Sequence, residues 1–229
     1  MSLFVLGDPH LSFGAAKPMD VFTGWDNHVR RLEENWRGIV RDEDTVVLPG
    51  DISWAMTLEQ ALPDFQFLHG LPGTKVILKG NHDYWWTTRK KTEALWEAHG
   101  LTSLRLLHNN AIPAGGAALC GSRGWFFDCE EAEDRKVLLR EAGRLRTSIQ
   151  EGKKIGGTLC VFLHYPPIAG GHRCEEIFGV LVQEGVRRCW YGHLHGASLP
   201  WAFKGAAEGI SFDCVSADAL QFVPKKIEL

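Results

Sequence analysis

Residues 75–83 read Lys-Val-Ile-Leu-Lys-Gly-Asn-His-Asp, a short apolar run that breaks at Gly80 into three polar residues, Asn81, His82 and Asp83. A run of this length and composition suits a strand buried on both faces. In layered α/β folds ligands collect beyond the carboxyl ends of such strands. The same arrangement occurs four more times. Residues 3–6 (LFVL) lead into Gly7-Asp8-Pro9-His10, and residues 45–48 (TVVL) lead through Pro49 into Gly50-Asp51. Residues 159–163 (LCVFL) precede His164-Tyr165-Pro166-Pro167, and residues 187–191 (RRCWY) precede Gly192-His193-Leu194-His195. The glycine ahead of four of these five clusters permits an abrupt turn.

Working outward, a sixth apolar run, AALC at 117–120, has the same strand character, and longer amphipathic stretches separate the runs. Residues 26–40 place Val29, Leu32, Trp36, Ile39 and Val40 near one helical face. Residues 57–68 open with Thr57-x-x-Gln60, a capping-box pattern. Residues 130–146 run from an acidic start to a basic end, which complements a helix dipole. Strand alternating with helix predicts an α/β layered protein. From about residue 187 the rhythm changes to short strands, which predicts mixed or antiparallel pairing. Residues 11–25, with Gly14, Pro18 and Gly24, follow neither period and form a long loop beside the first polar cluster.

The chain has 229 residues, 45% hydrophobic and 23% charged, a composition that supports one sizeable core. A formal charge of −3 without a Lys/Arg run gives no electrostatic basis for non-specific nucleic-acid binding. No stretch matches a secretory leader or approaches the roughly 20 apolar residues of a membrane span. The six cysteines form no C-x-x-C pair and are expected as buried, reduced thiols in a cytoplasmic protein.

Together the clusters offer Asp8, His10, Asp51, Asn81, His164, His193 and His195, with His82 and Asp83 beside them. All are oxygen or nitrogen donors, a mixture that suits Mn²⁺, Fe, Co²⁺ or Zn²⁺ at a catalytic site and disfavours a closed structural zinc site. Seven donors exceed what one tetrahedral ion takes, so two ions are expected, with Asp51 as the natural shared carboxylate. Gly-Asp alone is an ordinary turn, and the alternating His193 and His195 are stronger because a strand end points both rings to one side. The specific signal is the joint, ordered occurrence. Four other histidines, His28, His69, His99 and His108, lie in helical or polar contexts and are expected to face solvent.

The series Asp-x-His, Gly-Asp, Gly-Asn-His-Asp, His and Gly-His-x-His, running from Asp8 to His195, resembles the calcineurin-like metallophosphoesterase superfamily. The resemblance implies a four-layer α-β-β-α sandwich with two mixed β-sheets, as a single domain over 1–229. It places one metal at Asp8, His10 and His195 and the other at Asn81, His164 and His193, with Asp51 bridging. It keeps His82 off the metals near the leaving group, oriented by Asp83. Trp54 stands where purple acid phosphatases carry a tyrosine ligand, so a ferric-tyrosinate site is not expected.

Two divalent ions, Mn²⁺ foremost, then imply hydrolysis of phosphate mono- or diesters by direct attack of a bridging hydroxide. The expected substrate is a phosphorylated small molecule or a nucleotide-like ester, with no membrane partner. Arg123, His172 and Arg173 are candidates for contact with substrate oxygens, and the aromatics around the clusters are candidates to stack on a flat group. Two competing classes are weaker. A metallo-β-lactamase-like enzyme needs an early His-x-His-x-Asp-His run, whereas here Asp-x-His comes first. A non-catalytic metal-binding scaffold on the same fold characteristically loses ligands, and none is lost.

Overall fold

The computed structural model describes residues 1–125 and 132–229. In chain order the first half holds β1 (Leu3–Val5), α1 (His28–Ile39), β2 (Thr45–Leu48), α2 (Leu62–His69), β3 (Thr74–Ile77), α3 (Arg89–Ala98) and β4 (Leu104–Leu106). The second half holds β5 (Ile112–Ala114), β6 (Ala117–Ser122), α4 (Ala132–Ile155), β7 (Thr158–Leu163), the two-residue strands β8 (Ile168–Ala169) and β9 (His172–Arg173), α5 (Glu175–Gln183) and β10 (Arg188–Tyr191). A 3₁₀ turn at Gly196–Trp201 and strands β11 (Gly205–Ala207), β12 (Ile210–Cys214) and β13 (Lys225–Ile227) complete it. All six apolar runs are strands.

The strands form two large mixed sheets. One has the order β13-β1-β2-β3-β4, parallel except for β13, whose Lys226 pairs antiparallel with Phe4. The other has the order β11-β12-β10-β7-β6-β5, parallel in its centre and antiparallel at both edges.

The period-two alternation of a strand sends neighbouring side chains to opposite faces, and the buried residues sort accordingly. Phe4, Leu6, Val46, Leu48 and Ile77 pack with Leu32 and Trp36 of α1 and Phe65 of α2. Ala118, Cys120, Val161, Leu163 and Tyr191 pack with Leu145 of α4 and Phe178 of α5. The remaining faces meet each other: Leu3, Val5, Val47, Val76 and Leu78 against Leu119, Cys160, Phe162 and Trp190. Three apolar layers between helices, sheet, sheet and helices make the four-layer α-β-β-α sandwich.

Several local expectations shift. In α1 the buried stripe is His28, Leu32 and Trp36, and it continues to Val40, leaving Ile39 exposed. The stripe advances in steps of four, and Ile39 falls off that row. At α2, Thr57 accepts from Gln60 N, but the Gln60 carboxamide returns to Met56 N, and the regular helix starts only at Leu62. The helix expected over 130–146 runs on to Ile155, because its apolar stripe continues through Leu145 and Ile149; Glu130 and Glu131 lie outside the described residues. The described cysteines, 120, 160, 174, 189 and 214, are buried. His28 is also buried, with its ring against Trp25 and Phe222, contrary to the expectation of solvent. His69 and His108 are half-buried, and only His99 is exposed.

Candidate metal centre

The five polar clusters meet at the carboxyl ends of β1, β2, β3, β7 and β10, where the two sheets face each other. Asp8, His10, Asp51 and His193 all have left-handed backbone, with φ of 56°, 46°, 50° and 73°. Side-chain-bearing residues take this conformation at a cost, and such strain gathers at functional sites. Hydrogen bonds hold the turns in register: Asp8 N donates to Gly50 O and His10 N to Asp51 O. Gly80 and Gly192 have another reason to be glycine. A Cβ on Gly80 would lie 2.1 Å from Asp51 Oδ1, and one on Gly192 2.3 Å from Asp8 Oδ2. Each glycine leaves room for a neighbouring carboxylate.

The seven donors converge. His10 Nε2 lies 3.4 Å from His195 Nε2, and His195 Nε2 lies 3.6 Å from Asp8 Oδ1. Asn81 Oδ1 lies 2.6 Å from His164 Nε2 and 2.9 Å from His193 Nδ1. Asp51 sits between the two groups, with Oδ2 3.7 Å from His10 Nε2 and Oδ1 3.6 Å from His164 Nε2. Asp8 also faces both, since its Oδ1 is 3.5 Å from His164 Nδ1. Two donor groups of metal-binding spacing result, Asp8-His10-His195 and Asp8-Asp51-His164.

The electrostatics fit cations at this place. Asp8, His10, Asp51 and His164 are buried, and among the described residues every ion-pair partner of the two carboxylates is a histidine. Buried charge needs compensation. Burial opposes ionisation of Asp8, but His195, His164 and His10 hold it below the ordinary carboxylate range. Burial and the Asp8 charge push Asp51 up to about 8. His195, despite its burial, is raised to about 10 by Asp8 and Asp218, while burial and His164 lower His193 to about 3. Among the described residues the buried Nδ1 of His10 has no hydrogen-bond partner.

A family profile described as calcineurin-like phosphoesterase matches residues 1–197. The chain belongs to the calcineurin-like phosphoesterase family. Its fold recurs in solved structures: a phosphopantetheinyl hydrolase from Mycobacterium tuberculosis (TM-score 0.57, 11% identity, 99% of this chain and 95% of that one). A protein of unknown function from Aquifex aeolicus gives TM-score 0.51 at 16% identity over 98% and 95%, and the protein TT1561 from Thermus thermophilus gives 0.53 at 14% over 84% and 81%. At these identities the likeness carries the fold alone. Among curated proteins none matches the chain.

Around the donors of this family member lies a supporting layer, part of which the sequence reading missed. Asp218, four residues past β12, has Oδ1 2.9 Å from His195 Nδ1, and its Oδ2 accepts from Gly196 N. It orients the imidazole, as outer-shell carboxylates do. Its position just past a strand, like that of the five clusters, was the available signal. His164 Nδ1 meets Pro49 O at 3.1 Å, which turns Nε2 toward Asn81 and Asp51.

Asp83 corrects an expectation. Its carboxylate accepts from Ile52 N (2.8 Å), Ser53 N (3.2 Å), Gly80 N (2.7 Å) and Trp85 Nε1 (2.9 Å). It clamps the Asp51 turn to the Asn81 turn instead of orienting His82. Burial and Asp51 raise its pKa, while the backbone N–H donors favour the anion. The His82 ring lies 4.3 Å from Trp54, with Nδ1 3.4 Å from Tyr84 Oη. Burial and His164 shift it below the ordinary range, toward the neutral imidazole.

The 11–25 loop flanks the centre. Trp25 packs edge-on against His10 and His195, Met19 Sδ accepts from Trp54 Nε1, and Lys17 lies over the Trp54 ring. Phe13 N donates to the buried Asp64, which pins the loop to α2. Among the candidate substrate contacts, Arg173 is instead bound to Glu175 and Glu208 on the surface, so its charge is already matched. His172 is exposed on β9, and Arg123 stands at the end of β6 over Trp125. Trp54 stacks on His10, Trp85 is buried, and Tyr84 is the exposed ring beside His82; Phe126 and Phe127 lie outside the described residues.

Proposed function

We propose that the chain, acting as one domain over 1–229, hydrolyses phosphate esters with two divalent cations, Mn²⁺ fitting the oxygen and nitrogen donors. The observation that carries this is Asp51, whose two oxygens face His10 and His164 from between two histidine-rich groups. Asp8, His10 and His195 would hold one ion, Asn81, His164 and His193 the other, and Asp51 both. When bound, the pair supplies Lewis-acid activation of water and neutralises charge on the phosphate.

The chain's own residues then divide the work. Asp83 and Asp218 hold the donor turns, and the flanking Trp25 and Trp54 keep water from the His10 side. His82, neutral and half-buried, presents an N–H to the departing ester oxygen, a contribution of about 10²–10⁴-fold. Beside it opens a cavity of about 550 Å³ lined by Lys17, Trp54, Met56, Gln60, His82 and Tyr84. Its size and mixed wall suit the organic part of a phosphorylated small molecule or nucleotide-like ester. No helix among the described residues is long and apolar enough to cross a membrane. The buried free thiols of Cys120, Cys160, Cys189 and Cys214 favour a reducing, cytoplasmic setting.

The test is a Mn²⁺-supplemented assay of a nitrophenyl phosphate monoester and the bis-nitrophenyl diester, with metal analysis of the same samples. Hydrolysis of one ester by protein carrying about two ions is expected. His82→Ala keeps the ions and loses turnover, whereas Asp51→Asn loses ions. Two bound ions with neither ester cleaved would leave a metal-binding scaffold and overturn the proposal.

A further inference from the structure

A second polar cavity, of about 300 Å³, opens at the ends of β3, β4 and β6 against α4. None of the seven metal-site donors lines it. It lies beside the metal centre on the same end of the sandwich, because Lys79 follows β3 just ahead of Gly80 and Arg123 follows β6, the neighbour of β7. Among the described residues four cations line it, Lys79, Arg123, Arg140 and Arg144, with His108 and one carboxylate, Glu141. Glu141 is buried and binds Arg144 at 2.5 Å, with Arg123 at 3.9 Å. Among the described residues neither Lys79 nor Arg140 has a carboxylate in an ion pair, so the cavity keeps a surplus of positive charge.

A further observation points to a ligand in the cavity. Among the described residues the buried Nε of Arg123 has no hydrogen-bond partner, an orphaned donor that a native fold rarely leaves without a ligand or water. Clustered Arg and Lys in a half-enclosed pocket match the tetrahedral, multiply charged oxygens of a phosphate.

The geometry points to a phosphate-binding site in this cavity, separate from the metal centre, which takes a phosphate group through Lys79, Arg123, Arg140 and Arg144. The phosphate is either a second anionic group of the substrate, which rests on the proposed hydrolysis, or a free phosphate ligand.

Calorimetric titration of the metal-loaded protein with inorganic phosphate tests it. Wild type and His82→Ala are expected to bind phosphate alike. Arg140→Gln, an exposed position with no packing role, weakens binding severalfold, and the double variant Arg123→Gln/Arg144→Gln weakens it at least tenfold while melting as a folded protein. Phosphate isotherms in Arg140→Gln and the double variant identical to wild type, or absent binding in wild type, overturn the site. Kinetics separate the two sources. Arg140→Gln raises KM for a nucleoside diphosphate but not for nitrophenyl phosphate if the second group belongs to the substrate. It leaves both KM values alone, while still losing phosphate affinity, if the ligand is free phosphate. An inactive protein that still binds phosphate through these arginines would end the hydrolytic reading and leave the site standing.

Discussion

Replacing Asp83 tests whether a single carboxylate holds the metal-site turns together. Oδ1 accepts from Ile52 N, Ser53 N and Trp85 Nε1, and Oδ2 from Gly80 N, all in a fully buried setting. Asp83→Asn keeps the shape and one oxygen, so its amide can serve the first three donors while its NH₂ opposes Gly80 N. One unsatisfied buried donor costs about 1–3 kcal/mol. Asp83→Ala strands all four donors, and even at the low end of that range the cost reaches about 4 kcal/mol. For a chain of this size each kcal/mol lowers Tm by about 2–4 °C, so the alanine variant should melt about 8–16 °C below wild type. Thermal and urea unfolding of the metal-free proteins provide the measurement. Two variants that lose the same small stability, below about 1 kcal/mol, would refute the clamp. An Asn variant with unchanged Tm and a collapsed kcat would return Asp83 to a role in orienting His82.

Gly80→Ala drives a Cβ to within 2.1 Å of Asp51 Oδ1, so it should abolish metal loading by displacing that carboxylate; Gly38→Ala, on the open side of α1, should instead stabilise by about 0.5–1 kcal/mol. Metal titration and melting of the pair check both, and full loading of the Gly80 variant would disprove the close-approach argument. Asp218→Asn should lower metal affinity about 10–100-fold with little change in Tm, because the substitution alters the partner of His195 Nδ1 and leaves the core intact. Metal affinity should rise with pH. In the metal-free protein His195 keeps its proton to about 10 and Asp51 to about 8, so both must deprotonate when ions bind at pH 7. Calorimetry in buffers of different ionisation enthalpy should show about two protons released, and none released would contradict the assignment.

The site was legible for the same reason that its strands were. A central strand of a sheet covered on both faces is apolar at nearly every position, so 46–48, 76–78 and 159–163 read as uninterrupted runs. Polar residues at the ends of such runs stand out. Edge strands and short helices carry no such contrast. In α3 only Thr92 and Trp96 are buried, too few to set a period, and α5 is so apolar that it reads as another strand. Asp218 stayed hidden because it sits alone among small residues, without a glycine or histidine to mark it. The burial of His28 depends on Phe222, almost two hundred positions away, which no local pattern encodes.

The first sheet delivers Asp8, His10, Asp51 and Asn81 to the site, and the second delivers His164, His193 and His195. On the proposed assignment each cation therefore takes donors from both sheets, and the pair acts as a rivet through the sandwich. Ions bound at a thousandfold excess over Kd would add about 4 kcal/mol against sliding or parting of the two layers. A cell short of metal would then hold this protein in a looser form, with its susceptibility to proteolysis serving as a gauge of metal supply.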